Sequence, residues 1–246
     1  MRSRCLVVFA LFVLAFCAQV DAEDIEGRVV VTKKLTKKRV TASLPLYQRG
    51  TAVELTPDEP DDPLSLERER VVVYLEGRQA APPITAILDQ QNRRFAQDTV
   101  VIPAGSKVSF PNLDPIFHNV FSLSKPKSFD LGNYPKGQTR VVTFNEPGIV
   151  YVNCHLHPNM AATIVVTPNQ WYAKADRDGR IALHNVPPGE YTAVAWHKAA
   201  GFLKKQIQVQ AGQTSRLEFL VPLDETAGHA PPPASLHAHA MSPQAQ

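Results

Sequence analysis

Proline, glycine and asparagine cut this chain into pieces of strand length. Arg70-Val71-Val72-Val73-Tyr74-Leu75 is a near-continuous β-branched run, and Thr99–Pro103, 107–110, 140–144, 149–154 and 162–166 are further short apolar runs. Between them stand Pro103-Ala104-Gly105, Pro111-Asn112, Gly132-Asn133 and Glu146-Pro147-Gly148. These residues preset or permit the backbone angles of turns. No stretch of comparable length keeps a 3.6-residue apolar period, so a helical bundle is excluded. Short strands at this spacing predict an all-β protein built as an antiparallel sandwich. The 246 residues are 44% apolar, enough to bury a core, and carry 21 Pro against 12 Gly. A formal net charge of +3 is too small to argue for nucleic acid as a partner.

The ends of the chain read differently from its middle. Arg2 and Arg4 precede an apolar run over 6–18, and Val20-Asp21-Ala22 offers small residues for cleavage, the pattern of a secretory signal over 1–22. The run is short for a bilayer, so no transmembrane segment is expected in the mature chain, which would be periplasmic or secreted. Residues 23–69 form an N-terminal strand segment and linker, longer and more charged than a minimal sandwich start and able to lend strands to a second, C-terminal β group. The basic cluster Lys33, Lys34, Lys37, Lys38 and Arg39 reads as a hairpin guarding a sheet edge, and T-P-D-E-P-D-D-P as the linker. A second β group starts near Trp171, with the turn Asp176-Arg177-Asp178-Gly179-Arg180 and strands at 181–183, 192–196, 204–210 and Ser215–Val221. The expected division is 70–167 for the first sandwich, 168–223 for the second and 224–246 for an Ala-, Pro- and His-rich disordered tail.

The chemistry concentrates in Tyr151-Val152-Asn153-Cys154-His155-Leu156-His157-Pro158-Asn159-Met160. Cys5 and Cys17 leave with the signal, so Cys154 is the mature chain's one thiol and cannot form an internal disulfide. Cys154, His157 and Met160 stand at i, i+3 and i+6. Given the cysteine, composition alone would place that His and that Met there about four times in ten thousand. Thiolate, imidazole and thioether are a soft ligand set. One more imidazole would complete a trigonal His₂Cys site with a weak axial Met, the donor set that suits copper; zinc accepts His₂Cys, but Met is a poor zinc ligand. His118, in Pro111-Asn112-Leu113-Asp114-Pro115-Ile116-Phe117-His118-Asn119-Val120, is the candidate fourth ligand. Asn119 is expected to hydrogen-bond across to the ligand loop, and with Asn112 to fix the ligands from behind. His155 should point away from the metal, since consecutive residues at a strand end face opposite ways.

These residues resemble the cupredoxins over about 71–167. C-H-L-H-P-N-M is similar to the short ligand loop of amicyanins, shorter than those of plastocyanin and azurin. F-P-N-L-D-P-I-F-H-N-V-F-S-L, F-D-L-G-N-Y-P-K-G and P-G-I-V-Y-V-N-C-H-L-H-P-N-M resemble a group of exported bacterial methylamine-utilisation or plastocyanin-like proteins. The segment D-R-D-G-R-I-A-L-H-N-V-P-P-G-E-Y-T-A-V-A-W-H looks like the carboxypeptidase-regulatory-like sandwich, of carbohydrate-binding-like or transthyretin-like architecture, that follows the copper module there. The resemblance implies a Greek-key cupredoxin sandwich holding one copper ion, Cu(I)/Cu(II), on His118, Cys154 and His157 with Met160 axial. It also implies electron exit through His157, inside an apolar rim of Pro115, Ile116, Phe117 and Pro158 where a transient redox partner protein docks.

No Gly-rich phosphate loop, H-E-x-x-H or G-x-S-x-G motif appears, so an electron carrier is expected rather than an enzyme. Two other readings stand beside it. A copper storage or delivery protein would use His229, His237, His239 and Met241 of the tail. A carbohydrate- or protein-binding module with a structural metal site would stack ligands on Trp171, Tyr172, Tyr191 and Trp196. His184 reads as solvated and His197 as structural, and Asp176 with Asp178 offers too few oxygens for a calcium loop.

Overall fold

A computed structural model of the chain describes residues 22–36, 62–77 and 79–222. Strand β1 (Glu23–Val31) comes first, then a single short helix α1 (Ser65–Arg68) and β2 (Val72–Leu75). One sandwich follows, made of β3 (Thr85–Ile87), β4 (Gln90–Gln91), β5 (Arg94–Phe95), β6 (Thr99–Pro103), β7 (Ser106–Pro111), β8 (His118–Ser124), β9 (Lys127–Tyr134), β10 (Thr139–Phe144), β11 (Gly148–Asn153) and β12 (Ala161–Thr167). The chain closes with β13 (Tyr172–Lys174), β14 (Arg180–Val186), β15 (Gly189–His197), β16 (Gly201–Val209) and β17 (Ser215–Val221).

The first sandwich sets the sheet β10-β7-β3 against the sheet β6-β12-β11-β8-β9. Leu88, Ile102, Val108, Phe110, Val120, Phe144, Val150 and Ile164 are fully buried between them. The second sandwich has the sheets β14-β1-β17 and β13-β2-β15-β16, packed over Ile25, Val29, Val73, Leu75, Ala195 and Val221. Strand β1 is central there: it runs antiparallel to β14 and parallel to β17, with Ile25 opposite Ser215 and Val31 opposite Val221. Gly27 permits this, because a β-carbon would stand 2.6 Å from the Leu217 carbonyl oxygen and 2.8 Å from the Ile181 side chain.

One expectation changes here. The run Val72–Leu75 does not open the first sandwich; Tyr74 pairs with Tyr172 and with Val194, so β2 belongs to the second. The first sandwich is thus inserted between β2 and β13, which are neighbours in one sheet. A β-branched run buried on both faces fits either sandwich, and pairing partners about a hundred residues away decide between them. Lys33 and Lys34 are exposed, while Lys37, Lys38 and Arg39 lie outside the described residues, as do residues 1–21, most of the acidic linker and the tail with His229, His237, His239 and Met241.

The two sandwiches meet face to face. Val72, Val165 and Trp196 are buried at the seam, with Tyr74, Val101 and Ile149 packed around them. Complete burial of such side chains contributes roughly 1.5–3 kcal/mol each. Strand β12 shows the consequence in its sequence: Ala-Ala-Thr-Ile-Val-Val-Thr is buried almost throughout, because Ile164 faces the first core while Val165 faces the seam. The two connections are tied together by Asn169, whose amide donates to the Leu75 and Gly77 carbonyls at 2.9 and 2.8 Å.

Candidate metal centre

The ligand loop is a seven-residue connection between paired strands. Asn153 of β11 lies opposite Ala161 of β12, so residues 154–160 must turn back at once. The Cys154 amide donates to the Met160 carbonyl at 3.2 Å and the Met160 amide to the His157 carbonyl at 2.9 Å. His118 enters from the next strand, at the start of β8, which pairs with β11 through Phe121 and Asn153.

The structure brings His118, Cys154 and His157 together. Their donor atoms lie within 4.8 Å of one another, and they are the one such group of three among the described residues. Nδ1 of His118 is 3.1 Å from Nδ1 of His157, and Sγ of Cys154 is 4.0 and 3.6 Å from these nitrogens. A point equidistant from the three is about 2.1 Å from each, the length of metal–nitrogen and metal–thiolate bonds. Met160 is 1% exposed and shares the core cluster of Cys154.

Each donor is prepared from behind. His118 Nε2 faces the Asp114 carboxylate at 2.7 Å, which fixes the proton on Nε2 and turns the Nδ1 lone pair toward the centre. Burial raises the Asp114 pKa, but the Arg93 amide, His118 and the Asn92 amide outweigh it, so the carboxyl stays below its ordinary value. The two amides bind it at 2.8 and 2.7 Å. Burial, with lesser contributions from His118 and Arg93, lowers the pKa of His157 and keeps it neutral, the form that binds metal. The Asn119 amide points at Cys154 Sγ, 3.5 Å away, and its side-chain oxygen accepts from the His155 amide at 3.4 Å, spanning from β8 to the loop. Asn112 shapes the His118 loop by donating to the Ile116 and Tyr134 carbonyls at 2.8 and 3.0 Å.

The chain is 34% identical over 95 residues to amicyanin-alpha of Methylorubrum extorquens, across 37% of this chain and 80% of that protein. The chain belongs to the amicyanin-type cupredoxin family. Among solved structures, an amicyanin from Paracoccus versutus is 22% identical, covering 38% of this chain and 96% of its own (TM-score 0.32). A copper-containing nitrite reductase from Thermus scotoductus is 24% identical over 37% of this chain (TM-score 0.33), which spans about a quarter (24%) of that enzyme. The model of domain II of polysaccharide lyase family 4 matches residues 157–217. That match reaches back through the whole of β12, a strand of the cupredoxin sandwich, to His157 of the ligand loop.

The remaining candidates separate by exposure. Pro115, Phe117 and Pro158 are exposed, Ile116 is partly covered and His157 is half-buried among them. Leu113 and Leu156, absent from the expected rim, are also exposed. His155 turns away and stacks on Phe121, ring centroids 3.6 Å apart, beside Asp130. Trp171 and Trp196 are buried at 4% and 2% exposure, the first in the second core and the second in the seam. The four aromatics therefore do not form an exposed stacking surface. Asp114, Asn92 and Arg93 are what sequence reading missed; the available signal was a carboxylate four residues before His118 in a loop held between prolines.

Proposed function

We propose that this chain is an exported copper protein that carries one electron at a time, not an enzyme. His118, Cys154 and His157 hold the ion, and Met160 is the weak fourth ligand. The observation that carries this reading is the convergence of two imidazole Nδ1 atoms and one thiol on a point at bonding distance, with a buried thioether on the same loop. Bound copper supplies the Cu(I)/Cu(II) couple that no side chain here provides.

The residues do the rest. Asp114 and Asn119 hold the donors in place before metal arrives, so little reorganisation accompanies a change of charge. The Nδ1 atoms of His118 and His157 face each other 3.1 Å apart, and with the His157 proton on Nε2 both can turn a lone pair to one cation between them. His157 stands at the surface, where a transient partner can approach the metal edge. The second sandwich is read as the carboxypeptidase-regulatory-like module of the exported methylamine-utilisation group, and the N-terminal Arg2, Arg4 and apolar run as its export signal. Among the described residues no helix is long and apolar enough to cross a membrane.

The test is an optical titration of the purified chain with Cu(II). An intense thiolate-to-copper charge-transfer band at the red end, absent from Cys154→Ser, is expected. Zinc or no metal in place of that band overturns the reading.

A further inference from the structure

The rim of the centre is charged as well as apolar. The hairpin β4–β5 is bonded to the His118 loop: the Leu113 amide donates to the Gln90 carbonyl at 2.9 Å, and the Arg93 amide to Asp114. On the other flank the 135–138 turn is bonded to the same loop, through Asn112 to the Gln138 carbonyl at 3.0 Å and Gly137 to the Asn112 carbonyl at 2.8 Å. Arg93, Lys136 and Arg140 are exposed on these two flanks. Arg140 lies 5.6 Å over the ring of Tyr134, the residue paired with His118. Across residues 90–95, 111–120, 131–144 and 154–160 the one acidic side chain is Asp114, which is buried and occupied by His118 and two amides. The neighbouring carboxylates are Asp89, half-buried, and Asp130, which is exposed and engaged by Asn119, the Gly132 amide and His155.

The hairpin adds a second observation. Asn92 and Arg93 both have left-handed backbone, with φ of 56° and 58°. A two-residue turn of this kind accepts Asn easily and favours Gly next. An arginine is uncommon there, and an unfavourable backbone position that presents a cation at the mouth of a site points to use of that cation.

We infer that Arg93, Lys136 and Arg140 form a basic collar around the apolar rim at His157, fitted to a redox protein whose docking face is acidic. The collar rests on the copper-carrier reading for its purpose, though not for its existence. Apolar contact at Leu113, Phe117 and Leu156 supplies the seat, while the collar steers encounter from a distance and selects the sign of the partner.

Two probes test this. In the metal-free protein, hexacyanochromate(III), a redox-inert paramagnetic trianion, is expected to broaden amide signals of 92–94, 113–117 and 136–140 first. The variant Arg93→Asn/Arg140→Gln, in which Asn also suits the left-handed position, should lose that broadening. In the copper-loaded, reduced protein, oxidation by hexacyanoferrate(III) should fall about tenfold in the same variant at low ionic strength, and the gap should close in high salt. Tris(phenanthroline)cobalt(III), a cation, should react faster with the variant. Broadening centred elsewhere, or equal responses to anion and cation, overturns the collar. A chain that takes up no copper overturns the carrier reading instead, and the trianion map still decides whether the collar exists.

Discussion

His118 and His197 are both fully buried and both face a buried carboxylate, yet they are built for different work. His118 meets Asp114 at 2.7 Å, four residues back in the same loop. His197 meets Glu67 of α1 at 3.2 Å, without the alignment of a good hydrogen bond. The difference lies in the other nitrogen. Nδ1 of His197 accepts from the Ala199 and Ala200 amides at 3.2 and 3.3 Å, so its lone pair is occupied by its own turn. Nδ1 of His118 faces only another imidazole nitrogen and a thiol. Burial and a carboxylate partner do not mark a ligand; a second nitrogen that faces another imidazole and a thiol, rather than the amides of its own turn, does.

The largest expected effect lies on the structural side of this comparison. Glu67 also accepts from the Thr36 amide and hydroxyl and from Arg70, so it ties α1, the segment after β1 and the end of β15 together. Glu67→Ala removes a partner of the partly exposed Arg70 guanidinium and strands the Thr36 donors and His197. It should cost about 3 kcal/mol in urea unfolding. Any copper band should survive in the fraction that stays folded. A loss under about 1 kcal/mol would show that the pair does not hold the second sandwich together.

The site side should respond the other way. Asp114→Asn keeps the volume but cannot accept from two amides and His118 Nε2–H together, so the His118 tautomer is released. Metal affinity in a chelator competition should fall about 10- to 100-fold. Stability of the metal-free protein should change by no more than about 1 kcal/mol. Unaltered affinity would mean that packing alone orients His118, and the contrast with His197 would lose its basis.

Legibility follows the range of the contacts. Cys154, His157 and Met160 are readable because one short loop carries all three, and His118 because its segment is rich in turn residues and holds a lone imidazole. Strand β12 and the all-β class are readable from β-branched runs and their punctuation. Glu67 is not, because Glu-Arg-Glu-Arg is the composition of a solvated helix, and only His197, far along the chain, buries it. The membership of β2 is hidden for the same reason, since its partner β15 lies in the last part of the chain; that the segment holding β1 could join the second sandwich is legible, but its pairing with β17 is not. Arg93 escapes notice since nothing local announces that a two-residue turn will close over Asp114.

The smallest expected effect separates the two sides of the His197 pair by pH. Burial, opposed by Glu67, lowers the His197 pKa below its ordinary 6.5, so the folded state resists a proton that the unfolded state accepts. The unfolded chain then binds more protons, and stability must fall as pH drops below about 6.5, levelling once the folded histidine also titrates. Glu67 acts in a second, more acidic window. Burial raises its pKa, but Thr36, Arg70 and His197 bring it below the ordinary 4.5, so its contribution, present above 4.5, is lost as pH falls from there. A single proton changes stability by at most about 1.4 kcal/mol per pH unit, so a loss on the order of 1 kcal/mol is expected between pH 7 and 5. His197→Gln removes the upper window and leaves the lower one. Comparing the two proteins without metal, from denaturant midpoints across this range, subtracts the ligand histidines common to both. If the variant keeps the same slope between pH 7 and 5, the titrating group is not His197, and burial of its ring is not what sets that slope.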